Sequence, residues 1–397
     1  MKFEPIITSL LDTDMYKFSM DQAMFHQHTD LMGEYHFKCR NKGIVFTREM
    51  IKEIEEQINH LCTLQFTQDE LAYLNSIRFI KPDYVEFLRL WRPIADYVTM
   101  SFTNDGELSI HIYGPLFSCM QFEIYLLEIV NEVYFRMKYD YNQLRLSASD
   151  RLNDKISAFK GGVYTFKFAE FGCRRRLSRE WEDEVVRTFA ENTQNMVGTS
   201  NVYLAKKYNL VPIGTFAHEF VQMYQGIPKI PLAYTNYYAL KDWYNEYKGD
   251  NGTALTDTIT TDLFLRDLDR SMANNFTGGR HDSGDPYAWG EKMIEHYKKY
   301  GIDPKTKTLL FSDSLDFDKA QKLYDYFKEK TKVSFGIGTF VSNDTMVDPL
   351  NIVIKLQYVN GNPVAKLSDV HGKTMCAEPS YEDYLRNAVK FRLEREN

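Results

Sequence analysis

The sequence is short of the features that would take it outside ordinary globular chemistry. It has only five cysteines in 397 residues: Cys39, Cys62, Cys119, Cys173 and Cys376. They are odd in number, far apart, and show neither C-x-x-C nor Cys/His pairing at zinc spacing, which excludes a disulfide framework or zinc ribbon and predicts reduced thiols. No window approaches the roughly 18 uninterrupted apolar residues of a membrane span. The apolar stretch in MKFEPIITSLLDTDMYK is broken by acids, so the expectation is a cytoplasmic chain, neither exported nor membrane-spanning. Positive charge is not in surplus: 48 Lys+Arg against 55 Asp+Glu gives −7, so no global field draws nucleic acid or an anionic membrane. Any anionic ligand must be held by a local cluster. Internal repeats, Pro- or Gly/Ser-rich linkers and long like-charge blocks are also missing.

What is present is an ordinary 44% of hydrophobic residues with an unusual wealth of aromatics, 27 Tyr and 27 Phe. That is enough for one large domain or two. Residues 1–160 read as an N-terminal α+β domain: a helix near 12–27, an alternating strand over 34–40, a helix over 48–60, and another opened by the capping box Thr67-x-x-Glu70. Strands over 97–102 and 107–113 are joined across Asn104-Asp105-Gly106. Helices around 115–137 and 141–159 follow, and this half is expected to supply scaffold more than chemistry.

Over 161–345 short apolar strands alternate with helices, the rhythm of parallel βα units. Strands are predicted over 164–169, 195–197, 210–213, 253–255, 308–311 and 333–335, with a weaker one near 275–277. Directly after them stand EFGCRRR, GTSN, GTFAHE, TDTITTD, SDSLD, GIGT and GGRHDSGD. Gly, Arg, His and Asp thus gather at one end, as they do at the C-terminal face of a βα barrel. An open doubly wound sheet is the alternative, but no G-x-G-x-x-G opens a helix. Residues 346–397 read as a hairpin turning at Asn360-Gly361-Asn362 and a closing helix near 380–392 that pack on the N-terminal domain.

Several of these strings have the composition of a site for a polyanion. The guanidinium forks of Arg174, Arg175 and Arg176 suit phosphate or carboxylate. GGRHDSGD offers glycines for close approach, the cation Arg280, and Asp282 and Asp285 for hydroxyls or Mg²⁺; Asp285-Pro286 also reads as a helix start. Gly336–Thr339 can cradle phosphate, and Ser312-Asp313-Ser314 can line the same wall. His218 follows a strand end beside Gly214-Thr215, suited to nucleophilic or acid/base work, with Asp257 as the candidate that orients it. The other histidines (His26, His28, His36, His60, His111, His296, His371) are assigned structural roles, with His281 set apart by its place in GGRHDSGD.

Taken in order, LLDTDMYKFSM, EFGCRRR, GTSN, GTFAHE, GGRHDSGD, FSDSLD and GIGT resemble the nicotinate phosphoribosyltransferase family over essentially the whole chain. The resemblance implies an irregular TIM-like α/β barrel with an accessory α+β domain, acting as a homodimer. It implies that nicotinate and 5-phosphoribosyl 1-pyrophosphate give nicotinate mononucleotide and pyrophosphate, with Mg²⁺ present and ATP hydrolysed as co-substrate.

By that likeness His218 is the phosphoaccepting histidine, Phe171 stacks on one face of the pyridine, and Tyr16 of the partner subunit stacks on the other. Arg174 and Arg280 hold the 5′-phosphate or the nicotinate carboxylate, Thr215 touches nicotinate, Gly338 and Thr339 cradle phosphate, and Asp282 meets the ribose. At Ser200 the nicotinamide-using relatives carry an acid, so a neutral Ser favours nicotinate. The rivals are a nicotinamide- or quinolinate-using transferase, and a non-enzymatic ATP-binding phosphohistidine module.

Overall fold

The computed structural model describes residues 3–370 and 374–395; His371 lies outside them. The strands in chain order are β1 (Met32–Cys39), β2 (Val98–Phe102), β3 (Leu108–Pro115), β4 (Phe168–Glu170), β5 (Met196–Thr199), β6 (Val211–Pro212), β7 (Lys248–Asn251) and β8 (Thr253–Leu255). They continue as β9 (Gly278–His281), β10 (Thr308–Phe311), β11 (Lys332–Ile337), β12 (Ile352–Val359), β13 (Asn362–Pro363), β14 (Ala365–Lys366) and β15 (Met375–Cys376).

Two sheets carry the fold. One is antiparallel, ordered β13-β12-β1-β3-β2. Alternation along β1 turns Tyr35 and Phe37 into the core and leaves Glu34, His36 and Lys38 on the outer face, as a period of two requires. The C-terminal strand β12 pairs antiparallel with β1, so the end of the chain returns to the N-terminal sheet. The turn into β13 uses Asn360 and Gly361, both at positive φ (51° and 75°), which is the pairing a tight hairpin favours. The long helix over Phe122–Lys138 is buried along almost all its length.

The other sheet is parallel and seven-stranded, ordered β6-β5-β4-β11-β10-β9-β8. Among the described residues its first and last strands, β6 and β8, do not pair with each other, so the expected barrel is not closed by strand hydrogen bonds. The gap is bridged by α1 (Met15–Gln27). Ser19 Oγ donates to the Gly214 carbonyl just after β6 at 3.1 Å, and Asn251 Nδ2, just before β8, donates to Ser19 Oγ at 3.0 Å. The inner packing uses the aromatic surplus: Phe159, Phe168, Phe189 and Phe317 form one group of contacting rings, with Phe166 and Phe335 against it. Aromatic pairs of this kind add roughly 0.5–1.5 kcal/mol each beyond burial.

Two strands depart most from their expected bounds: β4 covers only Phe168–Glu170 rather than 164–169, and β9 lies later than predicted. The strand predicted near 275–277 is β9, Gly278–His281, preceded by a helix over Arg270–Asn275. Two glycines argue against a strand by propensity, but a Cβ at Gly278 would run into the Thr308 carbonyl of β10, so close approach of the neighbouring backbone is what selects glycine there. No described helix is long and apolar enough to cross a membrane.

The helix over Pro379–Arg395 closes a small second core with Ile259, Leu263, Ala365, Leu367, Leu385 and Val389. Leu367 N donates to the Thr258 carbonyl at 2.9 Å. This packing fixes β14 beside the segment that leaves β8, and so brings Lys366 to the strand ends.

Candidate active site

Beyond the C-terminal ends of the parallel strands lies an open cavity of about 780 Å³. Its walls include Phe171, Arg174 and Arg175 after β4, Ser200 after β5, Gly214, Thr215 and His218 after β6, Arg280 and Asp282 at the end of β9, Ser312 and Asp313 after β10, and Gly338 and Thr339 after β11. Every substrate-binding residue expected from sequence therefore meets in one place. The N-terminal half, expected to be scaffold, contributes Asp14, Tyr16, Arg40 and Glu123 to the same cavity, and the C-terminal segment contributes Lys355 and Lys366.

His218 begins a short helix, His218–Met223. Its Nε2 lies 3.0 Å from Asp257 Oδ1 and 3.6 Å from Asp282 Oδ2. The other Asp257 oxygen accepts from Ser283 Oγ at 2.5 Å and pairs with Lys366 Nζ at 3.1 Å. Burial, and then the Lys366 ammonium, push the imidazole below its ordinary value, although Asp257 pulls the other way. Burial works against the Asp257 charge, but His218, Lys366 and the Ser283 hydroxyl outweigh it and hold that carboxyl well below its usual range. The outcome is a neutral imidazole at neutral pH whose Nε2–H is donated to a fixed carboxylate, leaving Nδ1 with its lone pair.

Arg280 Nε donates to Ser312 Oγ at 2.9 Å, and its Nη2 lies 3.4 Å from Asp282 Oδ1. Burial opposes the Asp282 charge, but Arg280 and His218 keep its carboxyl ionised below the ordinary value.

The arginine triple divides. Arg176 is fully buried and faces away from the cavity, with Nη1 at 2.6 Å and Nη2 at 2.9 Å from the two Asp12 oxygens and Nη1 at 3.0 Å from Glu182. It is a structural clamp between the N-terminal segment and the helix over Arg179–Asn192. Arg174 and Arg175 line the cavity. Burial opposes the Arg174 charge, but Tyr16, Glu123, Asp14 and Asp282 more than restore it. Arg175 is pushed down to about 9, first by burial and then by Arg174 and Arg40.

The Phe171 ring and the backbone that carries Tyr16 rest on glycines. A Cβ at Gly336 would run into the Phe171 ring, and one at Gly214 would strike the Tyr16 backbone nitrogen. Gly336 is therefore a seat for a ring as much as part of a phosphate loop. Gly214 seats α1 of the same chain, so one chain lines one cavity with both Phe171 and Tyr16.

Asp14 sits next to Ser200, held by Met15 N donating to the Ser200 carbonyl at 2.7 Å. Both side chains are buried in the cavity wall, and neither Asp14 Oδ1 nor Ser200 Oγ makes a hydrogen bond of full geometry among the described residues. Burial raises the Asp14 carboxyl above its ordinary value, with Ser200 and Arg174 offsetting part of the rise. Sequence reasoning missed Asp14, Arg40, Glu123, Lys355 and Lys366. The acids and cations of DTDMYK were a usable signal for the first; nothing local marks Lys366. Asp285, by contrast, caps the helix over Pro286–Lys299 by accepting from Ala288 N at 2.7 Å.

Two descriptions of known families match this chain: the nicotinate phosphoribosyltransferase (NAPRTase) family over residues 166–393, and the N-terminal domain of that family over residues 11–131. The nicotinate phosphoribosyltransferase of Chromobacterium violaceum is 46% identical across 98% of each chain, and that of Acinetobacter baylyi 45% identical across 98% of each. Among solved structures, the nicotinate phosphoribosyltransferase of Vibrio cholerae superposes with a TM-score of 0.91 at 36% identity, covering 98% of this chain and 97% of that one. A putative nicotinate phosphoribosyltransferase from Saccharomyces cerevisiae gives 0.89 at 32% identity over 98% and 99%. Similarity of this extent, in sequence and in backbone, spans both sheets and all the loops that build the cavity, and the chain is an enzyme of the nicotinate phosphoribosyltransferase family.

Proposed function

We propose that the cavity joins nicotinate to 5-phosphoribosyl 1-pyrophosphate, giving nicotinate mononucleotide and pyrophosphate, and that ATP hydrolysis through a phosphohistidine at His218 drives the reaction. The observation that carries this reading is the meeting, in one cavity, of His218, held from behind by Asp257, with the rings of Tyr16 and Phe171 and seven cations: Arg40, Arg78, Arg174, Arg175, Arg280, Lys355 and Lys366. A chain of net charge −7 concentrates positive charge here, which suits a substrate with many phosphates.

On this reading the pyridine ring lies between Phe171 and Tyr16, with its carboxylate toward Arg174, Thr215 and the neutral Ser200. Asp282 meets the ribose hydroxyls, and Gly338, Thr339 and the cations hold the phosphates. The ring nitrogen attacks C1 with its own lone pair as the C1–oxygen bond to pyrophosphate breaks, so no side-chain base is needed. Arginine and lysine stabilise the charge that develops on the leaving group. Asp282 and Asp313 line the same wall and, as hard oxygen donors, would hold Mg²⁺, which would supply further positive charge against the departing pyrophosphate.

For the coupled step, His218 Nδ1 attacks the terminal phosphorus of ATP and ADP departs. Asp257 keeps the Nε2 proton in place and stabilises the ring as it gains a second substituent. Water later takes the phosphoryl group to release phosphate. The parallel sheet with α1 in its gap serves as the irregular TIM-like barrel of this reading, and the chain works as a homodimer in the cytoplasm.

The test is product formation from 5-phosphoribosyl 1-pyrophosphate and Mg²⁺ with nicotinate, nicotinamide or quinolinate, each with and without ATP. Nicotinate alone should give mononucleotide at a rate that ATP raises. Product from nicotinamide or quinolinate in preference to nicotinate, or ATP binding without pyrophosphate release, would replace this reading by one of its rivals.

A further inference from the structure

Three clusters of potential metal-ligating side chains occur among the described residues: Asp12/Glu128/Cys173, His218/Asp257/Asp282 and Glu34/His36/His111. The first two already hold a cation. Arg176 lies 2.6 Å from Asp12 and 3.4 Å from Glu128, and Lys366 lies 3.1 Å from Asp257. Glu34/His36/His111 has no such occupant: among the described residues no Lys or Arg pairs with Glu34, whose ion pairs are to His36 and His111. It lies on the outer face of the antiparallel sheet, none of its three residues lines the cavity, and the proposed reaction does not use it.

The cluster follows from strand geometry. Glu34 and His36 are two apart on β1 and share its outer face, and His36 pairs directly with His111 of β3, so all three side chains project from one patch. The His36 and His111 rings meet edge to face, centroids 4.9 Å apart at 86°. Both rings present the same nitrogen to the same oxygen: His36 Nε2 lies 2.8 Å and His111 Nε2 3.1 Å from Glu34 Oε1. The three ligand atoms are all within 4.8 Å of one another. His111 Nε2 is shielded from solvent, and its approach to Glu34 Oε1 falls short of full hydrogen-bond geometry. The lysine paired with His36 across β12, Lys355, turns to Glu123 at 3.5 Å and does not compete.

We infer that Glu34, His36 and His111 form a surface site for a borderline divalent transition ion such as Zn²⁺. Two imidazoles and one carboxylate are the donor set Zn²⁺ accepts, at about 2.0–2.2 Å from each, with water in the fourth position. Mg²⁺ prefers oxygen donors and does not compete for imidazole nitrogen. Each imidazole binds the ion through the Nε2 lone pair, in the neutral tautomer whose single proton sits on Nδ1. It ties β1 to β3 at the strand that leads to Arg40 on the cavity rim.

The experiment is a calorimetric titration of the full chain with Zn²⁺ in the presence of Mg²⁺ and no substrate, run on the wild type, His36→Ala, His111→Ala, Glu34→Gln and His218→Ala. Partners outside a metal's ligand shell are worth roughly 10–100-fold in affinity. Each variant of the triad should therefore weaken one Zn²⁺ equivalent by more than about tenfold, while His218→Ala keeps it. Zn²⁺ should also raise the melting temperature of the wild type but not of His111→Ala, and all the chains should share one melting temperature in chelator, which confirms that they fold. Affinity unchanged in the triad variants, or lost in His218→Ala instead, overturns the assignment.

Discussion

Lys366 Nζ lies 3.1 Å from Asp257 Oδ2 while His218 Nε2 lies 3.0 Å from Asp257 Oδ1, so one carboxylate holds a lysine from the last hairpin and a histidine from the strand ends at once. The lysine lowers the affinity of the imidazole for protons. Lys366→Met should therefore raise the His218 pKa and move the acidic limb of the activity profile to higher pH, since a protonated ring has no lone pair to offer. Titration of the His218 ring by NMR in both chains checks the sign. A limb that stays put would mean that Lys366 acts on substrate phosphate alone.

Specificity rests on charge, because a carboxylate and a carboxamide are nearly the same shape. Asp14 already stands beside Ser200 with its carboxyl raised by burial, so a second acid there would face both Asp14 and the substrate carboxylate. Ser200→Asp should cut nicotinate use by ~2–4 kcal/mol in transition-state terms, roughly 30- to 1,000-fold in kcat/KM. Nicotinamide use should fall far less or rise. Competition between the two pyridines on the purified variant measures the ratio, and an unchanged ratio would place Ser200 away from the ring substituent.

Arg176 is the only guanidinium among Asp12, Glu128 and Glu182 in that buried cluster. Its removal leaves carboxyls without a counter-charge, which typically costs about 3–5 kcal/mol. Arg176→Met should lower the denaturation midpoint by that order while the folded fraction keeps its substrate affinity, because Arg176 does not line the cavity. Equal stability would show that the acids satisfy one another as protonated carboxyls.

Glu132 belongs to the same interior, and burial raises its carboxyl from 4.5 to about 7, with Arg136 and Arg176 pulling it back in part. The folded chain therefore binds a proton there that the unfolded chain has lost. Stability from this group is fully present below the unfolded value and declines as pH rises through the folded one. Glu132→Gln should gain on the wild type between pH 4.5 and about 7, by up to about 3 kcal/mol at the alkaline end. Urea midpoints of the two chains at pH 5 and pH 8 read the difference directly.

The strand ends were legible in the sequence because parallel strands leave their chemistry in short Gly-, Arg- and Asp-bearing loops that alternate with apolar runs. The same property misplaced β9, whose glycines read as a loop although backbone crowding at Thr308 demands them in the strand. The triple Arg174–Arg176 could not be divided from sequence, since a three-residue turn over Cys173–Arg175 decides which guanidinium faces the cavity and which turns to Asp12. Lys366 was invisible for a different reason. Its place depends on the Leu367, Leu385 and Val389 core that docks the C-terminal segment 109 residues after Asp257, and tertiary packing of that range leaves no local pattern. The alternation of β1 showed which side chains share a face, but the pairing of His36 with His111 needed the register with β3.

The most direct test of the account is the fate of the terminal phosphate of ATP on His218. With labelled ATP and Mg²⁺ the wild type should take up one acid-labile phosphate per chain, and nicotinate with 5-phosphoribosyl 1-pyrophosphate should release it as mononucleotide forms. His218→Ala should take up none and keep only a slow transfer that ATP does not stimulate. Label retained in His218→Ala, or ATP stimulation undiminished in that variant, would contradict the account.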